Sequence, residues 1–178
     1  MVEGTGQWTT DDGRSADRAW MGRTAHWTAV LVVGLALSGC ADSVNNDCVD
    51  GPAATIEAAT FAGSLQIDLS AMTRLVDGLY IQDLTVGAGE EAMIGSLLRM
   101  TYAGWYPTGQ QFDSGQNFNF ELGSPNIIDG WTLGVEGMRV GGTRKMVVAP
   151  GLGYGPCRFN LIPGNSILVF EVTLDQVG

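Results

Sequence analysis

Tyrosine hydroxyls and a carboxylate occur among aromatic residues in the C-terminal half of this chain. Tyr102, Asp113 and Tyr154 carry the polar groups, while Trp131 and Phe170 supply large apolar rings. A core built only for packing would avoid hydroxyls and an acid beside apolar rings, because each buried polar group needs a partner. The pattern therefore indicates that these residues do more than fill a core.

Composition excludes several kinds of chemistry. The only histidine, His26, lies in a segment that we expect to be removed. Without it the chain has no imidazole general base and no ordinary zinc site, so we expect no metal and no cofactor. The net charge of −10 and the absence of a basic stripe argue against a nucleic-acid partner.

Apolar and polar residues alternate in several segments with the period of a half-buried strand. These segments are residues 80–86, 98–103, 118–122, 143–148 and 168–174. Between the second and third segments, Tyr106-Pro107-Thr108-Gly109 has the composition of a turn, and the chain returns through residues 110–113. A hairpin is therefore predicted there.

One short helix is predicted between the third and fourth strands. Ser124-Pro125 can open a helical turn. Trp131, Val135 and Met138 then fall on one helical stripe, and Gly141-Gly142 ends it. The elements together predict an α+β domain, in which an antiparallel five-stranded sheet curls around one short helix.

Six short motifs occur in a fixed order from about residue 78 to residue 174. They are Thr101-Tyr102-Ala103-Gly104, Gln111-Phe112-Asp113-Ser114, Ile127-Ile128-Asp129-Gly130-Trp131, Gly153-Tyr154-Gly155, Ile162-Pro163 and Leu168-Val169-Phe170-Glu171. Their order and spacing resemble the FKBP-type peptidyl-prolyl cis/trans isomerases, the macrolide-binding immunophilins. The resemblance implies the FKBP-like topology and isomerisation of X–Pro bonds without covalent or metal chemistry. It also implies proline-containing polypeptides as partners and macrolides as inhibitors.

The same resemblance implies a shallow aromatic pocket between the sheet and the helix, with roles for individual residues. Tyr102, Asp113 and Tyr154 would be the catalytic side chains, above a floor formed by Trp131. The remaining substrate-binding residues would be Phe112, Phe120, Ile127, Ile128, Leu161, Ile162 and Phe170. For Phe118, Met138, Leu168 and Val172 we instead expect simple filling of the core.

The chain departs from the family pattern in two places. The segment between Asp113 and Phe118 is shorter than in the common form, and the arginine that usually pairs with the aspartate is missing. Residues 156–161, which would overhang the pocket, also differ from the glycine-rich family loop. The isomerase remains the leading hypothesis, and these departures are the basis of an alternative, a catalytically weak module that binds proline segments as a chaperone at the membrane.

An apolar run at residues 29–37 ends in Leu37-Ser38-Gly39-Cys40. It is too short to span a bilayer, which needs about 20 residues, but it has the length of a secretory signal core. Its end resembles the lipobox of bacterial lipoproteins, in which the cysteine is acylated. The alternative is a buried strand that ends in a chance cysteine.

We therefore predict a lipoprotein signal peptide at residues 21–39, acylation of Cys40 and a location outside the cytoplasm. The lipid would anchor the chain to a bacterial envelope membrane, at the periplasmic face if the cell has two membranes. Residues 1–20 carry Glu3, Asp11, Asp12 and Asp17, the wrong sign for a leader, and are interpreted as an over-extended start.

Residues 40–77 are predicted to form a tether and an arm that lies against the isomerase domain at residues 78–178, and we expect a monomer. With Cys40 acylated, Cys48 and Cys157 remain in a compartment where disulfides persist. A bridge between them would fasten the tether to the loop after Tyr154. Two unpaired thiols are the alternative, because sequence cannot place the Cα atoms within bonding range.

Overall fold

The computed structural model describes Cys48 and residues 53–178. The described residues belong to one compact unit, which runs from Asp42 to Gly178. The predicted start region, signal peptide and acylated Cys40 lie outside the described residues, as does most of the predicted tether.

The described part of the chain forms one antiparallel sheet with a single α-helix. In chain order the elements are β1 (Thr73–Val76), β2 (Leu79–Thr85), β3 (Leu97–Trp105), β4 (Gln111–Glu121), α1 (Asp129–Val135), β5 (Thr143–Val148) and β6 (Leu168–Val177). The strands lie in the order β1-β2-β5-β6-β3-β4. The predicted α+β architecture with one short helix is confirmed.

The predicted number of five strands is wrong, because the sheet has six. The additional strand is β1, which pairs with β2 through Thr73 opposite Ile81 and Arg74 opposite Tyr80. All four residues of β1 are exposed, so the strand has no alternation of apolar and polar residues to reveal it. It lies within residues 40–77, the predicted tether and arm.

The helix is also shorter than predicted. It ends at Val135 rather than near Gly141-Gly142, because Gly137 has a φ of 76°, a left-handed conformation that favours glycine. Met138 is buried as expected, but it lies beyond the end of the helix. Ser124-Pro125 belongs to a separate turn that precedes the helix.

The main core lies between α1 and one face of the sheet. Its buried members come from α1, from β2, β3, β5 and β6, and from loop residues such as Leu122, which follows β4. Among them are Leu79, Leu98, Met100, Leu122, Val135, Met146, Leu168, Val172 and Leu174. The helix can lie this close to the sheet because residue 130 is a glycine. A Cβ added there would lie 2.4 Å from a methyl of Val148.

A buried arginine fastens the end of this helix to the sheet. Arg144 on β5 donates through Nη1 to the carbonyl of Gly134 at 2.8 Å. Its Nε and Nη2 donate to the two carboxylate oxygens of Asp83 on β2, at 2.6 and 3.2 Å. A bidentate guanidinium–carboxylate pair has a fixed geometry, so it restrains the helix that carries Trp131.

The N-terminal arm forms a second, smaller apolar cluster. Ile56, Leu65 and Met72 pack with residues of β2, β5 and β6, among them Val147 and Val169. Lys145 Nζ donates to the backbone carbonyl of Leu65 at 2.9 Å. The arm therefore lies against the sheet.

Candidate functional site

A cavity of about 210 Å³ lies where α1 and its preceding turn meet the sheet. Strands β3, β4 and β6 supply side chains, and Tyr154 comes from the segment after β5. The lining residues are Tyr102, Phe112, Asp113, Phe118, Asn126, Ile127, Ile128, Trp131, Tyr154 and Phe170. All three side chains predicted to be catalytic therefore face one cavity.

Trp131 lies at the centre of the aromatic cluster and is only 5% exposed. The rings of Tyr102 and Phe170 meet it nearly perpendicularly, with centroids at 5.3 and 5.5 Å. Phe118 makes a third edge contact at 6.0 Å. Edge-to-face packing suits the aromatic quadrupole, so the indole is held rigidly as an apolar surface.

The close approach of two wall residues depends on Gly104 in β3. A Cβ at this position would lie 2.7 Å from Cζ of Phe112 and 3.0 Å from Cε1 of Phe170. Both rings would then have to move. Gly104 therefore has a packing role, since the absence of a side chain there lets the rings of Phe112 and Phe170, from different strands, meet.

Tyr102 and Asp113 form the polar part of the cavity. The Tyr102 hydroxyl donates to Asp113 Oδ2 at 2.7 Å. Asp113 Oδ1 accepts from the Ser114 backbone N–H at 2.8 Å. Burial, followed by the hydrogen bond and the charge of Asp113, raises the pKa of Tyr102 to about 12. The phenol therefore stays protonated at neutral pH, with its proton directed to the carboxylate.

Tyr154 lies beside the same carboxylate. Burial raises the pKa of its hydroxyl, and the charge of Asp113 raises it further. On its other side the ring stacks on Phe159, with centroids 4.7 Å apart and planes inclined by 12°. The hydroxyl is therefore a neutral hydrogen-bonding group at the wall of the cavity.

The start of α1 provides a backbone donor at the rim. Ile128 is the N-cap residue, and its carbonyl accepts from Trp131 N–H at 2.9 Å. The first N–H groups of a helix have no partner within the helix. The N–H of Ile128 is consequently available to a ligand in the cavity that this residue lines.

Three residues predicted to contact substrate lie outside the cavity lining. Phe120 packs against Trp131 with centroids 5.7 Å apart. Ile162 is buried in the main core, whereas the Leu161 side chain is 84% exposed. Phe118, expected to fill the core, is 36% exposed and lines the cavity instead.

Two further residues near the site were not singled out from the sequence. Asn126 lines the cavity from the turn before α1. Tyr106, read only as part of a turn, packs on Phe112 at 5.1 Å and donates its hydroxyl to the Leu161 carbonyl at 3.2 Å. The turn itself is present, because Gly109 N–H donates to the Tyr106 carbonyl.

The structure contains a disulfide bond between Cys48 and Cys157. The two residues also pair as an isolated antiparallel bridge. The bond links the tether to the loop that follows Tyr154, so the loop beside the cavity has a covalent attachment.

The described residues contain no group of three or more His, Cys, Asp or Glu side chains that could hold a metal ion. None of the helices in this part of the chain is long and apolar enough to cross a membrane.

Comparison with known proteins gives consistent matches. The profile of the FKBP-type peptidyl-prolyl cis-trans isomerase family matches residues 88–175. FK506-binding protein 3 of Yarrowia lipolytica is 41% identical over 107 residues, which are 58% of this chain and 26% of the relative. FK506-binding protein 4 of Mycosarcoma maydis is also 41% identical, over 29% of its length. The chain therefore spans less than a third of these curated relatives.

Two solved structures share the fold. FkpA from Escherichia coli is 33% identical, with a TM-score of 0.56, over 60% of this chain and 51% of that one. AtFKBP13 is 34% identical, with a TM-score of 0.50, over 56% of this chain and 93% of that one. On the strength of these matches and of the fold, the chain belongs to the FKBP-type peptidyl-prolyl cis-trans isomerase family.

Proposed function

We propose that the cavity binds proline-containing segments of polypeptides and accelerates the cis/trans isomerisation of the X–Pro bond. The observation that carries this proposal is the Tyr102–Asp113 hydrogen bond beside an indole floor, within one cavity. Membership of the family supports the same activity.

The proposed reaction needs neither a nucleophile nor a metal. The X–Pro bond isomerises over a barrier of about 18–20 kcal/mol. At the top of the barrier the amide has lost its conjugation, so it is less polar than the planar ground state. An apolar cavity disfavours the planar form more than the twisted form. Preferential binding of the twisted form by about 5–8 kcal/mol would accelerate the reaction by roughly four to six orders of magnitude.

The proposed mechanism gives each group a part. The proline ring lies on Trp131, while the Ile128 N–H and the Tyr154 hydroxyl donate to substrate carbonyls. A carboxylate such as Asp113 accepts hydrogen bonds and does not donate them, so it is not a donor to a developing oxyanion. It instead accepts from Tyr102, which fixes the orientation of that phenol and the local field.

A turnover assay tests the proposal. The purified chain should accelerate cis-to-trans conversion of a short peptide with an apolar residue before proline. Tyr154→Phe and Asp113→Ala should lower turnover while the circular dichroism spectrum stays unchanged. A folded wild-type protein that leaves the uncatalysed rate unaltered would exclude the proposed activity. If only Asp113→Ala is without effect, the carboxylate has no part in it.

A second function, binding of proline segments without efficient catalysis, is favoured by one observation. Within the described part of the chain, no Lys or Arg forms an ion pair with Asp113. The carboxylate is therefore held only by hydrogen bonds and is exposed. Peptide-dependent quenching of Trp131 fluorescence without rate acceleration would support this alternative.

The names of the curated relatives suggest a probe for the same cavity, because they describe FK506-binding proteins. We propose that FK506, as a macrolide ligand, occupies the same part of the cavity as the proline segment. Competitive inhibition of turnover, lost in Trp131→Ala, would support shared occupancy. Inhibition that does not compete with peptide would place the macrolide elsewhere.

We also propose that the protein acts on exported polypeptides from a lipid anchor on a bacterial envelope membrane. The support is the apolar run at residues 29–37, followed by Leu37-Ser38-Gly39-Cys40. Cys40→Ser should release the protein from the membrane fraction and remove the lipid mass from its N-terminal peptide. Continued membrane association of an unlipidated variant would contradict the proposed anchor.

A further inference from the structure

The loop between Gly155 and Gly164 is fastened on several sides. Phe159 and Ile162 exchange two backbone hydrogen bonds, of 3.0 and 2.9 Å, and so form a tight hairpin. Asn160 at its tip has a φ of 52°, which a tight turn of this kind requires. Ile162 is buried in the main core, so one end of the hairpin is anchored.

Two further attachments involve other segments. The disulfide bond joins Cys157, two residues before Phe159, to the tether. The Tyr106 hydroxyl, from the turn after β3, donates to the Leu161 carbonyl. A ten-residue surface loop would ordinarily be mobile, and these attachments restrict it.

The fastened loop brings one aromatic ring against the cavity wall. Phe159 stacks nearly parallel on Tyr154, with centroids 4.7 Å apart, although half of its surface remains exposed. Phe159 is not among the residues that line the cavity. The contact of Phe159 with the site is therefore indirect and runs through the Tyr154 ring.

We propose that Phe159 is a positioning residue that sets the place of the Tyr154 hydroxyl, and that the Cys48–Cys157 disulfide holds Phe159 in that position. The proposal rests on the proposed function, since it concerns the hydroxyl that binds a substrate carbonyl. The stack fixes the plane of the Tyr154 ring and thereby directs its hydroxyl towards the substrate. Loss of the stack weakens substrate binding while the aromatic floor remains intact.

The kinetic test compares Phe159→Ala with Phe159→Tyr and with Arg158→Ala, a matched control at an exposed neighbour on the same loop. Phe159→Ala should raise KM by about three- to tenfold, the range expected for one aromatic pair, with kcat within about twofold. Phe159→Tyr should restore KM, and Arg158→Ala should leave it unchanged. A purely structural role would instead lower the active fraction, which reduces kcat at constant KM, and that result would overturn the proposal.

The disulfide is tested in the full chain carrying Cys40→Ser, so that no third thiol exchanges. Dithiothreitol supplies two electrons and two protons to the Cys48–Cys157 bond and becomes a cyclic disulfide itself. Reduction should raise KM in the same direction as Phe159→Ala and should have little further effect in that variant. Equal KM before and after complete reduction would overturn the role of the bond.

Nuclear magnetic resonance of the Tyr154 ring protons separates this inference from the proposed activity. A parallel ring at this distance shields those protons, so Phe159→Ala and reduction should both move the signals downfield. Tyr154→Phe identifies the signals by their loss. An unchanged position in Phe159→Ala would overturn the stacking even in an active enzyme. A wild-type protein with the expected shifts but no turnover would instead overturn the proposed function.

Discussion

Replacement of Trp131 by alanine should lower the free energy of unfolding by about 3–5 kcal/mol, the usual cost of removing a buried tryptophan. The side chain is 5% exposed and touches four other rings with centroids within 6.0 Å. Its Nε1 has no hydrogen-bond partner among the described residues, so the expected loss is one of packing and not of hydrogen bonding. Because small domains are stable by about 5–15 kcal/mol, this loss is a large share.

Urea unfolding followed by circular dichroism measures the effect, with Trp131→Phe as the graded comparison. The phenylalanine variant keeps one ring of the floor and should lose only about 1–2 kcal/mol. Peptide turnover should fall more in the alanine variant, even where the protein is folded. An alanine variant that loses less than about 1 kcal/mol at unchanged m would refute the role of the indole as a packed floor.

Three further predictions follow from the contacts around the site. Ultraviolet absorbance titration should show Tyr102 ionising with a pKa of about 12, against 10.0 in the unfolded chain. The contribution of the protonated phenol to stability is therefore complete below pH 10 and is lost as the pH rises towards 12. Tyr102→Phe should remove the ionisation near pH 12 from the titration. Arg144→Met should cost about 3 kcal/mol in urea unfolding, because it leaves the buried Gly134 carbonyl without its donor and breaks the bidentate pair with Asp83. Arg139→Met, in an exposed ion pair, should cost less than about 1 kcal/mol. Mass spectrometry of the non-reduced, exported protein should show no alkylation of Cys48 or Cys157, and two alkylated thiols would exclude the bond.

Alternation of apolar residues was sufficient to predict most of the sheet, because those strands bury one face and expose the other. It could not predict β1, whose four residues are all exposed and which is recognisable only by its pairing with β2. The helix length depended on Gly137, whose left-handed conformation is a property of the folded turn rather than of composition.

Family motifs led to Tyr102, Asp113 and Tyr154, which do line one cavity, but position along a strand or loop decides where other residues lie. Phe118 and Phe120 do share one face of β4, since their rings stack at 5.3 Å. Alternation does not say which of them reaches the mouth of the cavity and which packs on Trp131. A register shift between Met100 and Tyr102 also places one extra residue in β4, and alternation gives no sign of it.

The loop residues illustrate the same limit on a smaller scale. Leu161 and Ile162 are adjacent and equally apolar, yet one side chain is exposed and the other is buried. The difference arises from the tight hairpin that pairs Phe159 with Ile162, a backbone arrangement without a periodic signal. Phe159 could not be recognised as a neighbour of Tyr154 for the same reason.

The second apolar cluster has a consequence for the order in which the chain is made. Ile56 and Leu65 leave the ribosome early, but their partners Val147 and Val169 lie on β5 and β6, near the other end of the sequence. Cys48 and Cys157, which join the tether to the loop after Tyr154, are likewise separated by 109 residues. Contacts between distant segments form only after the entropy cost of closing the intervening loop has been met. The arm therefore carries exposed apolar side chains throughout synthesis and finds its place only when the last strand has joined the sheet.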